Sequence, residues 1–277
     1  MRRKTSIILA LLLLLVGIGV LIYPTLSDYV NRINGSYAIQ EMNNQLAQVE
    51  RETITRQRRL AEDYNAGLSG VAITDAFTAE EDDTLLEGYN GIMDLGNGIM
   101  GSIQIPKIDV SLPIYHGVDS VVLSKGVGHM PQTAFPIGGS GNHAVLTGHT
   151  GLPTAGLFTD LTKMELGDLF YINILEDTIA YQVDQIKVVL PHESEDLRAV
   201  PGKDYCTLVT CTPYGINSHR LLVRGIRIEL EEEVIVQQMQ AEIRTQTSVP
   251  VELMAAGASV LVVLITIIVL VFKKNKE

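Results

Sequence analysis

The chain has 277 residues, 46% hydrophobic and 19% charged, which excludes a disordered or fibrous protein and fits a globular domain with membrane segments. The formal net charge of −11 argues against a nucleic-acid binder, because neutralising phosphates takes clustered Lys and Arg. Two cysteines are too few for a multi-bridge secreted scaffold, and a metal site would lean on the six histidines.

Residues 6–23 (SIILALLLLLVGIGVLIY) carry no charge, and neither do residues 253–272 (LMAAGASVLVVLITIIVLVF). As helices, both runs approach the ~30 Å hydrocarbon core of a bilayer. A cleaved signal peptide is the alternative for the first. The run is long for one, and no small-x-small site follows at Pro24-Thr25-Leu26-Ser27-Asp28. Arg2, Arg3 and Lys4 precede the first run and Lys273, Lys274 and Lys276 follow the second. Basic flanks stay in the cytoplasm. The expectation is therefore a two-pass cell-membrane protein with cytoplasmic tails at 1–5 and 273–277 and an extracytoplasmic middle. That middle, residues 24–250, holds 15 basic and 30 acidic side chains.

Residues 24–65 are polar, with apolar positions at helical spacing (Ile39, Met42, Leu46, Val49), and predict an amphipathic helical stalk. Residues 66–98, rich in Gly and holding the run Glu80-Glu81-Asp82-Asp83, predict a mobile segment. Thr78 and Glu81 have capping-box spacing for one short helix within it. From residue 99 to 232 short apolar or alternating runs are broken by Gly and Pro: 102–105, 110–115, 143–147, 169–175, 180–190, 205–210 and 221–230. Seven or eight strands with one short helix, 120–125, predict a mainly β fold closed into a barrel. A linker, 233–252, leads to the second apolar run.

Two cysteines lie on the strand Tyr205-Cys206-Thr207-Leu208-Val209-Thr210-Cys211. Five residues apart, they face opposite sides of it, which disfavours a disulfide. Cys206 reads as a small core residue. Cys211 ends the strand before Thr212-Pro213-Tyr214-Gly215, at the mouth of the barrel, where a thiol meets substrate. A free thiol is only about 3% thiolate at neutral pH, so a nucleophile needs a neighbouring base or cation. His149, in Leu146-Thr147-Gly148-His149-Thr150-Gly151, follows a strand in a Gly-flanked turn. Arg220, nine residues after Cys211, opens the next strand, and a hairpin-like return would set it beside the thiol. Its fixed charge suits a substrate carbonyl or oxyanion.

These residues resemble a sortase: TLVTC at 207–211, LTGH at 146–149, and an Arg nine positions after the Cys. The stretches IMGSIQIPKI (99–108), LPIYHG (112–117) and CTPYGINSHRLLVRG (211–225) are similar to those of the class C, pilus-assembling sortases of Gram-positive cells. The resemblance implies an eight-stranded sortase barrel and a cysteine transpeptidase that needs no cofactor. It implies that Cys211 attacks the Thr–Gly bond of an LPxTG-like signal on a pilin, that His149 protonates the leaving amine, and that Arg220 steadies the oxyanion. A lysine of another pilin subunit then resolves the thioester. The resemblance also implies a lid with an Asp-Pro-aromatic motif over the site. Here the motif reads Asp75-Ala76-Phe77, with Ala where Pro is usual; Asp75 is expected on Arg220 and Phe77 over Cys211. A helix cap is the rival reading of Asp75.

His143 reads as a structural or surface residue, His219 as one that points away from Arg220 and packs or hydrogen-bonds nearby, and His116, His129 and His192 have no assignable partner. Asp160 and Asp168 read as turn residues, and Tyr214 and Ser218 as possible borders of a groove. Thr210 is either a buried hydroxyl or a shaper of the site. Three rival functions remain: a thiol protease that passes the acyl group to water, a housekeeping sortase that anchors proteins to the cell wall, and a zinc module using Cys206, Cys211 and His. The zinc reading is weak, because the thiols diverge.

Overall fold

The computed structural model describes residues 2–68, 71–77, 88–94, 98–153, 155–230 and 249–272. Eight strands close into a barrel: β1 (Ile99–Ile105), β2 (Val110–His116), β3 (Val127–His129), β4 (His143–Thr147), β5 (Leu169–Ile174), β6 (Asp177–Val189), β7 (Tyr205–Thr212) and β8 (His219–Ile228). Around the barrel the order is β1-β2-β3-β4-β7-β8-β6-β5. The sequence expectation of a closed β fold holds, as does the short helix at Ser120–Lys125, capped by Asp119. β3 escapes the sequence reading because three residues are too short to show a period.

Every second strand residue points inward. Ile103, Ile114, Leu146, Phe170, Tyr181, Cys206, Leu208 and Val223 form one buried core. Cys206 is a core residue as expected, fully buried and unbridged. The alternate positions Val145, Val209 and Leu222 form a second cluster on the outer face of β4, β7 and β8. Ala76 and Leu197 cover that face.

Two helices precede the barrel. α1 (Arg2–Leu46) continues through Pro24 and docks on β2: Gly35 lies against Pro113, and Met42 packs with Ile99, Tyr115 and Leu123. The single stalk helix expected from the sequence is instead broken at residues 47–50, and α2 (Arg51–Gly67) turns back. A helix continued straight would leave the barrel, whereas α2 buries Ile54, Gln57 and Ala61. Polar clips hold it: the Gln57 amide bonds Gly91 and Met93, and Asn65 pairs with both backbone groups of Phe135. With Ser120–Lys125 as α3, the last helix is α4 (Val251–Phe272), which packs along α1. Among the described residues only α1 is long and apolar enough to cross a membrane; the apolar part of α4, Leu253–Val269, is shorter. The Thr78–Glu81 capping box and most of the 233–252 linker lie outside the described residues.

Of the three histidines without an assignable partner in the sequence, His129 and His116 prove to be internal ties, whereas His192 is exposed. His129 is fully buried between Tyr89, whose hydroxyl stands 2.8 Å from Nδ1, and the Ala134 carbonyl. His143 is buried rather than on the surface, bonding Thr207 Oγ1 and the Arg198 carbonyl. His116 reaches the Ile92 and Gly98 carbonyls, and half-buried His219 bonds Ser218. Asp168 acts as a turn residue as expected, accepting from the Glu165 amide, whereas Asp160 lies in a short 3-10 helix, Thr159–Lys163, and pairs with Lys163.

Burial pushes His129 down to about 3 and His143 down to about 4. The unfolded chain therefore binds protons that the folded one refuses, and stability falls as pH drops below the ordinary imidazole value near 6.5. Thermal unfolding at pH 7 and pH 5 should show a lower midpoint at pH 5, before carboxylates titrate. Tyr89→Phe removes the hydroxyl that His129 Nδ1 and the Gly117 amide share. It should cost about 1–3 kcal/mol in denaturant titration.

Candidate active site

In the antiparallel β7–β8 pair Cys211 stands directly opposite Arg220. Both positions are out of step with the inward-facing Leu208 and Leu221, so the two side chains share the outer face of the barrel wall. The sequence reading placed the thiol at the barrel mouth; the site instead lies on the wall. The expected return of Arg220 beside the thiol is present.

His149 comes from the neighbouring strand. β4 runs parallel to β7 with Thr147 opposite Val209, and Gly148 extends the pairing through its amide to the Val209 carbonyl. Two residues further along, the register brings His149 level with Cys211. The turn is tightly held. Thr210 donates its hydroxyl to the Gly148 carbonyl at 2.7 Å, and the His149 carbonyl accepts from the Phe158 amide at 3.0 Å. A Cβ on Gly148 would sit 2.7 Å from the Phe158 ring, so only glycine fits. Of its two sequence readings, Thr210 takes both: a buried hydroxyl that fastens the histidine's turn to the cysteine's strand.

The segment 71–77 lies over these residues. Asp75 grips Arg220 with both oxygens, Oδ1 to Nε at 2.6 Å and Oδ2 to Nη2 at 2.8 Å. Both side chains are over 90% buried, where an unpaired charge would be costly. The remaining guanidinium nitrogen donates to the Asn217 and His219 carbonyls. Phe77 stacks between the two other groups, its ring centre 5.3 Å from the His149 ring and 5.0 Å from the Arg220 guanidinium carbon. Asp75 is thus an ion-pair partner of Arg220. Ala76 fills the outer cluster against Met130, Val145 and Val209. The cavity left under the segment is about 20 Å³, room for one water and no peptide. Tyr214 and Ser218 are exposed beside the site, and Tyr214 leans on Gly151.

Burial raises the Cys211 thiol above its ordinary value, opposed by the Arg220 charge and reinforced by Asp75. Burial also lowers the His149 imidazole. With the segment in place, both groups are therefore held neutral. The geometry fits a shielded nucleophile, a proton carrier and a charge clamp. Among the described residues, no group of three or more His, Cys, Asp or Glu converges on a metal position. Cys206 points into the core and Cys211 away from it, which removes the shared zinc site.

Asp75→Ala leaves Arg220 without its partner and frees the segment. Alkylation of Cys211 in the variant should be at least about tenfold faster at pH 7, because exposure returns the thiol toward its free value. An unchanged rate would mean that the segment does not gate the thiol.

The sortase-domain family model matches residues 103–228. Sortase A of Streptococcus agalactiae is 26% identical over 209 residues, spanning 74% of this chain and 77% of that protein. Among solved structures, sortase C-1 of Actinomyces oris is 49% identical with TM-score 0.62, covering 64% of this chain and 99% of that one. A Streptococcus pneumoniae sortase C structure, described for its catalysis and pilin substrate specificity, is 42% identical with TM-score 0.64, covering 70% and 97%.

Proposed function

The chain belongs to the sortase family of cysteine transpeptidases, and we propose that it is a pilus-assembling member that joins pilin subunits at the outer membrane surface. The observation that carries this reading is the pairing of Cys211 with Arg220 under Asp75 and Phe77. The likeness to class C enzymes supports the pilin as substrate.

On this reading the Asp75–Ala76–Phe77 lid first leaves the wall. The Cys211 thiol passes its proton to His149, and the sulfur attacks the Thr carbonyl of an LPxTG-like signal. Arg220, released from Asp75, turns its Nε and Nη2 donors to the developing oxyanion. The His149 imidazolium protonates the departing glycine amine, leaving a thioester on Cys211. A pilin lysine amine then attacks the thioester, gives a proton to His149, and expels the Cys211 sulfur as an isopeptide bond forms. No metal or organic cofactor enters this chemistry. α1 anchors the enzyme, α4 is its second span, and the basic flanks keep both tails in the cytoplasm.

Wild-type enzyme incubated with candidate pilins should give SDS-resistant ladders. Cys211→Ala should give none, and His149→Ala and Arg220→Ala should each lose about 10²–10³-fold in acylation rate. Free hydrolysed pilin as the main product, even with an acceptor amine present, would identify a thiol protease instead. Transfer to a wall-precursor amine in preference to pilin lysine would identify the housekeeping activity.

The raised thiol and lowered imidazole also set the pH profile. The productive thiolate–imidazolium pair carries the same number of protons as the neutral pair and is its minority form. The kcat/KM profile of the free enzyme should therefore be bell-shaped, with its acid limb below the ordinary imidazole value and its alkaline limb above the ordinary thiol value. In Asp75→Ala both limbs should move inward as burial is relieved. A single-limbed profile would contradict the pairing of these two groups.

A further inference from the structure

We infer that Asp28, on the first part of α1 beyond the apolar run, is a positioning residue for His149. It ties the turn that holds the imidazole to the helix that enters the membrane. The inference rests on the reading of His149 as the proton carrier. Asp28 lies five residues after Tyr23, the last residue of the uncharged run. Further along, α1 packs on β2 through Met42, but here a cleft of about 310 Å³ opens between helix and barrel, lined by Asp28, Arg32, Val110 and Gly156.

Two polar struts cross the cleft. The Asp28 Oδ1 atom accepts the Gly156 amide at 2.6 Å. Arg32 stands 3.5 Å from both Asp28 Oδ2 and Asp109 Oδ2, which steadies the carboxylate and leaves Oδ1 for the amide. A Cβ at position 156 would sit 3.0 Å from Oδ1, so the carboxylate would have to give by a few tenths of an ångström.

Gly156 belongs to the loop that follows His149. Its described residues hold one isolated bridge, Leu152 to Ala155, one side-chain tie within the loop, Gly151 amide to Thr159 Oγ1, and a backbone bond from the Thr159 amide to the Gly156 carbonyl, while Ala155, Leu157 and Phe158 pack in the core on either side of Gly156. Leu157 takes a positive φ of 40°, outside any regular element. Two residues past Gly156, Phe158 donates to the His149 carbonyl and packs its ring on Gly148. A displacement at Gly156 therefore reaches the imidazole's own backbone through two residues. The bond to Asp28 is charge-assisted, the stronger class of hydrogen bond. Displacements of about 1 Å at reacting groups can cost on the order of 10²-fold in rate.

The test uses the full chain in detergent or membranes, with a sorting-signal peptide and an amine. Asp28→Ala should lower kcat about tenfold while KM stays within about twofold, since the loop's hold on His149 is lost and the peptide groove is not. Asp28→Asn should restore most of the rate, because its side-chain carbonyl accepts the same amide. In a His149→Ala background, Asp28→Ala should have no further effect. An unchanged kcat in Asp28→Ala, an Asn variant as impaired as the Ala variant, a loss confined to KM, or full additivity with His149→Ala would each overturn the inference. A His149→Ala enzyme as active as wild type would instead overturn the proton-carrier reading itself.

Discussion

The antiparallel register of β7 and β8 places a thiol opposite a guanidinium on the outer wall of the barrel, and the rest of the site is arranged around that pair. A guanidinium buried there needs a counter-charge or a carbonyl for each of its donors. With the lid down, Asp75 and the Asn217 and His219 carbonyls meet that need. The same donors suit a developing oxyanion. On the proposed reading, the segment bearing Asp75 and the transition state compete for one set of hydrogen bonds.

The barrel explains why three residues far apart in the chain meet. β4 and β7 are adjacent and parallel, so the residues just past the end of one strand and at the end of the other lie side by side. β8 returns along β7 and brings its first residues to the same level. Small adjustments then tune the arrangement: glycine at 148 admits Phe158, and Thr210 fastens the turn. Nothing in this scheme needs a prearranged ion pair. Burial keeps sulfur and imidazole neutral until the lid leaves.

The lid is held at both ends of its covering segment by different means. Before it, α2 is clipped to the barrel by Gln57 and Asn65 through backbone-like amide pairs. After it, Tyr89 is locked among His129, His116 and Phe135. Among the described residues in between, Asp75 makes a charged contact and Ala76 a small apolar one. Without the usual proline, φ at position 76 is not fixed by its own ring. The hold of this lid on the wall therefore falls more heavily on the ion pair.

The candidate residues of the proposed site were legible in the chain itself. A cysteine closing an apolar strand, a histidine in a glycine-flanked turn and an arginine at a strand start carry their own local signals, and strand periodicity alone sends Cys206 and Cys211 to opposite faces. The apolar runs and the short capped helix were legible for the same reason, since each is a pattern written within a few neighbouring residues. Only the tertiary structure decided that the site sits on the wall and not at the mouth, that the stalk folds back as two helices, and that three-residue β3 completes the barrel. It also decided that His129 and His143 are buried ties and that Asp28 reaches Gly156, 128 residues away. These depend on register between strands and on contacts between distant segments, whose energies arise only once the chain has closed on itself, so no local pattern records them.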